Sequence, residues 1–166
     1  MMVRRLYCVT VCMAFGAAVL YGCAPPYPRD TLDRVDSTLS FRALSASPDA
    51  YKGAWVMLGG VIISVKNGKE GTQIEVLQKP VDREGRPYET DSSEGRFLLV
   101  TDQYLDAAVY QPGRQIGVVA EVEGGKTMPL DEIEYRYPLL ILRAVHLWRP
   151  QEGPRFFFGI GISGRL

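Results

Sequence analysis

The residue of this chain best placed to do chemistry is Cys23. It follows Leu20-Tyr21-Gly22 at the end of residues 6–20, which carry no charge, and Arg4 and Arg5 stand before that run. A cysteine thiol is intrinsically a strong nucleophile, and this one stands where lipidation chemistry needs a thiol. A positive start, a short apolar run and a small residue at the cut make a secretory signal. Residues 1–22 are therefore expected to be removed by cleavage between Gly22 and Cys23. Cys23 then heads the mature chain, and a covalent lipid on it is the one non-protein group expected, with no other cofactor.

Other candidates for chemistry are weaker. His146 is the single histidine, so a Ser-His-Asp triad would have to use it. It lies in an apolar stretch beside Trp148, where a hydrogen-bonded structural histidine is expected instead. Asp82, Glu84, Glu89, Asp91 and Glu94 cluster in sequence, as do Glu121, Glu123, Asp131, Glu132 and Glu134. Neither set has EF-hand or zinc-ligand spacing, so both read as solvated surface and no metal site is expected. Gly124-Gly125-Lys126-Thr127 ends like a phosphate loop, yet Ala120 stands where the first glycine of that motif belongs. Arg96 and Arg114 precede two strands, and Tyr135 and Tyr137 stand at the entry to the last. These four could line a ligand groove or partner surface; strand-start and aromatic packing roles are the favoured alternative. The chain reads as a non-enzyme.

Cys23 must be positioned by what surrounds it. Fifteen residues, 6–20, span about 22 Å as a helix, short of the roughly 30 Å hydrocarbon core, so a signal fits better than a membrane-spanning anchor. Leu20 and Gly22 in register with Cys23 resemble a bacterial lipoprotein signal, which implies lipoprotein processing and sorting machinery as partners. Ala24, rather than Asp, after the cysteine implies sorting to the outer membrane. Cys8 and Cys12 fall in the removed segment, so the mature chain keeps one cysteine and forms no internal disulfide. Nineteen basic residues balance nineteen acidic ones, and loss of Arg4 and Arg5 leaves a net charge of −2. That balance argues against nucleic acid as a partner.

Behind Cys23, residues 23–40 form a Pro-containing tether, stiffened by Pro25, Pro26 and Pro28; Leu32, Val35 and Leu39 could instead pack it on the domain as an arm. Residues 41–150 form one domain. A helical turn over 41–46 stops at Ser47-Pro48. Strands are expected at 55–66, 72–78, 96–101, 115–122 and 139–148, with turns at Asn67-Gly68 and Gly124-Gly125. Residues 80–94 read as a long exposed loop, and 102–109 as a short helix capped by Asp102 and ended before Pro112-Gly113. Ile116, Val118, Ala120 and Val122 alternate towards one face. The sum is an all-β chain, a small five- to six-stranded antiparallel barrel, OB-like, with a short helix between strands three and four. Residues 151–166 form an apolar, Gly-rich tail that contains Phe156, Phe157 and Phe158.

Two strands are apolar on both faces. Leu139, Ile141, Val145 and Leu147 share one face, with Leu140, Leu142, Ala144 and Trp148 on the other, and residues 55–65 behave alike. A wet face should be polar, so part of the barrel's exterior must be covered. The arm around residues 32–39 is expected to cover it, leaving the tail with its three phenylalanines to dock on a partner or the membrane interface.

Phe41, Pro48, Tyr51-Lys52-Gly53, Gly59-Gly60-Val61-Ile62, residues 72–77, Pro80, Gly85-Arg86-Pro87 and Gly95-Arg96-Phe97-Leu98 make an ordered set. It continues through Tyr110, Gly113-Arg114, Tyr135-Arg136-Tyr137-Pro138 and His146-Leu147-Trp148. This set resembles the Slp family of Gram-negative outer-membrane lipoproteins. The resemblance implies a lipid-anchored protein of the outer membrane, associated in relatives with stress or starvation responses, with no assigned enzymatic activity. Outer-membrane lipid and an envelope protein are the expected partners. A small-ligand or glycan binding module using the open barrel face is the competing reading.

Overall fold

The computed structural model describes residues 25–149. Gly22, Cys23, the expected signal segment, and the tail with Phe156, Phe157 and Phe158 lie outside the described residues. Five strands, β1 (Trp55–Gly68), β2 (Gly71–Lys79), β3 (Arg96–Thr101), β4 (Gln115–Leu130) and β5 (Ile133–Trp148), close into a barrel in the order β1-β2-β3-β5-β4. The chain is all-β and OB-like. Every neighbouring pair is antiparallel except one: β3 and β5 run parallel from Leu98 beside Leu139 to Val100 beside Ile141. A wholly antiparallel barrel was the expectation; closing through non-consecutive strands forces that parallel seam.

The core follows from alternation. Ile116, Val118, Ala120 and Val122 of β4 point inwards, as do Val56, Leu58 and Ile62 of β1, Ile74 and Val76 of β2, and Phe97 and Leu99 of β3. Long strands around so small a barrel must coil, and bulges supply the bend. Ile63 is the extra residue of β1 against β2, and Arg143 that of β5 against β4. The bulge at Arg143 flips the side-chain phase, so Leu140, Leu142, Val145 and Leu147 all contribute to the core. The uninterrupted alternation expected for residues 139–148 therefore fails at that residue. Gly60 lies where β1 coils closest to β2; a Cβ there would run into the Leu77 carbonyl.

Three local expectations are corrected. The β1–β2 turn falls on Lys69-Glu70, two residues beyond Asn67-Gly68. Gly124-Gly125 is no turn: Glu123 bulges, β4 runs on to Leu130, and the chain reverses at Asp131-Glu132, where Asp131 takes the left-handed φ of 53° that Asp tolerates. Residues 102–109 make one turn, closed by the Tyr110 N–H donating to the Asp106 carbonyl (2.9 Å), and no helix. Their backbone is spent on the β1–β2 hairpin. The Thr72 hydroxyl accepts from the Leu105 N–H (2.9 Å) and lies within bonding distance of the Gln103 carbonyl and Asn67 Oδ1, while the Asn67 amide donates to the Leu105 carbonyl (3.1 Å).

The helical contribution to the core comes from elsewhere. After α1 (Arg29–Leu32), α2 (Phe41–Ala46) is capped by Ser40, whose hydroxyl accepts from the Ala43 N–H (3.2 Å). Phe41 and Leu44, three apart and so on one face, are buried in the core, and the Phe41 ring tilts on Phe97 at 5.9 Å. A 3-10 turn (Pro48–Tyr51) leads into β1. Its Asp49 pairs with Lys52 and Arg136 and accepts from the Gly125 N–H. Those contacts, the backbone N–H foremost, hold its carboxyl below the usual range.

Candidate functional site

The exterior of the barrel divides into a covered wall and an open one. On the covered wall, Val35 bridges to Trp55 in parallel, and the Asp36 N–H donates to the Trp55 carbonyl (2.8 Å). Tyr27 is 2% exposed. It sits over Gly117, where a Cβ would strike the Tyr27 hydroxyl, the Gly85 carbonyl and Trp148 Nε1. The arm thus runs from Gly117 to Trp55, past the outward-pointing Val119, which has 0% exposure. Arg34 stacks over the Trp55 ring at 4.9 Å.

The loop after β2 shares this wall, although residues 80–94 were expected to be exposed throughout. Asp82 Oδ1 accepts from the Glu84 and Arg86 N–H groups (2.8 and 2.9 Å), folding residues 82–86 tightly, and Val81 bridges Pro87. Gly85 and Pro87 are buried. The Trp148 indole N–H donates to the Gly85 carbonyl (3.2 Å), and the Arg86 guanidinium covers the same ring at 4.4 Å. With that N–H directed at Gly85, the Tyr27 hydroxyl has no well-formed partner among the described residues. Burial pushes its phenol far above the ordinary range, against a smaller lowering by the adjacent indole.

The open wall holds three of the four residues singled out by sequence. Arg96 pairs with Glu75 (2.8 Å), the Tyr137 hydroxyl donates to the same Glu75 oxygen (3.1 Å), and the Tyr135 hydroxyl accepts from the Arg96 N–H (3.1 Å). The two tyrosine rings meet edge-on at 4.6 Å. Hydrogen bonding to Glu75 raises the Arg96 pKa further, and burial followed by the Glu75 charge raises that of Tyr137. These groups satisfy one another. Arg114 stands apart, donating to the Val109 carbonyl (3.4 Å). Glu75 is the member that sequence reasoning missed; its polar side chain at alternate spacing from Gln73 in β2 was the available signal.

Beside this cluster opens a groove of about 820 Å³ between the β1–β2 turn, the end of β3 and the β4–β5 ribbon. Lys66, Lys69, Gln73, Asp102, Lys126 and Arg143 line it, and Lys126 reaches across to Gln73 Oε1 (3.1 Å). None of Arg96, Arg114, Tyr135 or Tyr137 lines it. His146 packs edge-on against Trp148 at 4.3 Å, on the covered side. Among the described residues no three His, Cys or carboxylate groups come together to hold a metal, and no helix is long and apolar enough to cross a membrane.

The architecture defines a small OB-like barrel domain with one wall sealed by its own chain and one wall grooved. The chain belongs to the outer membrane lipoprotein Slp family, whose model matches residues 20–157. It is 25% identical over 117 residues to "Outer membrane protein Slp" of Escherichia coli (strain K12), a match covering 70% of this chain and 62% of that protein. It is also 24% identical over 135 residues to "Succinate--CoA ligase [ADP-forming] subunit beta" of Erythrobacter litoralis (strain HTCC2594), covering 79% of this chain but 30% of that protein. The chain thus spans less than two thirds of either relative. No solved structure gives a significant match.

Proposed function

We propose that this chain is held on the outer membrane by lipid on Cys23 and acts there without catalysis, offering its grooved wall to an envelope protein. The observation that carries the reading is the division of labour on that wall. Glu75, Arg96, Tyr135 and Tyr137 are closed upon one another, whereas the neighbouring groove at Lys66, Lys69, Gln73 and Lys126 is open. Family membership supports the location, and the sequence around Cys23 supports the anchor. A role in stress or starvation belongs to the proposal by family resemblance alone.

The groove's volume also falls within the roughly 300–1,000 Å³ of small-ligand pockets, which favours the second reading, a small-ligand or glycan module. Recovery of the acylated protein from solubilised outer membrane separates the two. A protein that co-purifies with the wild type and is lost with Lys66→Glu and Lys126→Glu supports the first. A small molecule in the native mass spectrum, lost in the same variants, supports the second. Neither would mean that the groove is not the functional surface.

A further inference from the structure

We infer that the barrel is seated directly on the bilayer by the wall carrying Tyr27, residues 82–86 and Trp148, with no free spacer between anchor and domain. The inference rests on acylation of Cys23. Only Ala24, Pro25 and Pro26 separate Cys23 from the buried Tyr27. Four peptide steps reach at most about 14 Å between the two Cα atoms; a polyproline path through the two prolines gives about 12 Å. The acyl chains of Cys23 begin at the hydrocarbon boundary, and the headgroup layer outside it is roughly 5–7 Å thick. Tyr27 then lies within about 9 Å of the headgroup surface. A folded unit of this length has a radius of gyration near 14 Å, too wide to clear that gap on any side but this one.

The wall suits a lipid surface. Arg83 and Arg149 are exposed, and Arg86 lies flat on Trp148. None of the three enters an ion pair among the described residues. The loop's tip also carries two carboxylates, that of the exposed Glu84 and that of Asp82, one oxygen of which accepts two backbone N–H bonds, so with three cations against two anions the patch keeps a net charge of +1. Three cations held on a rigid turn and a strand end face headgroup phosphates, the attraction expected of basic residues at a membrane surface. Trp148 sits beside Tyr27 over Gly117, so the chain leaves the barrel at Arg149 from the same wall that receives the anchor.

The test uses the full acylated protein in vesicles of phosphatidylethanolamine and phosphatidylglycerol doped with a headgroup nitroxide lipid. A fluorophore is placed on Glu84→Cys or, at the remote β1–β2 turn, on Glu70→Cys; intact mass reports the acyl chains on Cys23. Seating gives several-fold stronger quenching at position 84 than at 70. A Gly-Ser spacer of about ten residues after Ala24, with an r.m.s. reach of roughly 17 Å, should abolish most of that difference. Acylated protein quenched equally at both positions overturns the seating alone. Absence of acyl chains on Cys23 overturns the anchor, and the seating with it.

Discussion

Tyr27 is the arm's main hold on the barrel, and two substitutions there separate the ring from its hydroxyl. An aromatic side chain buries 150–250 Å², which at about 25 cal/mol per Å² is worth roughly 4–6 kcal/mol. The arm is peripheral and can peel away without unfolding the barrel, so the loss on Tyr27→Ala is capped by the cost of undocking; about 2–4 kcal/mol is expected. For a domain of this size that corresponds to a fall in Tm of roughly 8–15 °C. The hydroxyl is buried without a well-formed partner, a situation costing about 1–3 kcal/mol, so Tyr27→Phe should be neutral or stabilising. The phenol's pKa is raised above its ordinary value of 10.0. Its contribution is therefore complete below pH 10 and lost as pH rises through the folded value, and Tyr27→Phe should flatten that alkaline limb. Thermal unfolding of the mature chain carrying Cys23→Ser, followed by circular dichroism across pH, reads all three. An alanine variant as stable as wild type would refute the docking of the arm. A phenylalanine variant that loses as much as alanine would show that the hydroxyl, not the ring, does the holding.

Other outcomes follow from the same contacts. Glu75→Gln leaves Arg96 half-buried beside a neutral group and should cost about 1–2 kcal/mol after allowing for solvent screening, measured as a shift of the denaturant midpoint without change in slope. Asp49 has a depressed pKa, so its contribution is present above its ordinary value of 3.8 and lost as pH falls through the folded value; Asp49→Asn should remove that part of the acid limb of a stability–pH curve. Deleting residues 153–166 should leave Tm nearly unchanged while weakening membrane or partner recovery. A large drop in Tm would place the tail in the domain's core.

Much of the barrel was legible because its signals are local. Alternation in β4 is periodic from Ile116 to Val122, and the Ser47-Pro48 stop fixes the end of α2. What escaped depends on partners distant in sequence. A bulge at Arg143 is set by β4 across the pair, and nothing in residues 139–148 marks it. Gly124-Gly125 carries the composition of a turn, but the ribbon continues because Tyr135 and Tyr137 have Glu75 and Arg96 to reach. Residues 80–94 show no apolar periodicity, yet Gly85 is buried because Trp148 and Tyr27 close over it, and Pro87 is buried against Gly59 of β1. The helix expected at 102–109 lost its backbone partners to Thr72 and Asn67. For the site, Arg96, Tyr135 and Tyr137 were found by residue type; Glu75 and the lysines of the groove were hidden among ordinary strand and turn polar residues.

The most direct measurement of the central claim is the intact mass and membrane fractionation of wild type beside Cys23→Ser. The expected wild-type mass is that of a chain beginning at Cys23 plus acyl chains, recovered with the outer membrane on a density gradient. The serine variant is expected to keep residues 1–22 or to be released as soluble protein. A serine variant with the mass, mobility and membrane fraction of wild type would contradict lipid anchoring at Cys23, and an acylated wild type recovered with inner-membrane vesicles would contradict the location.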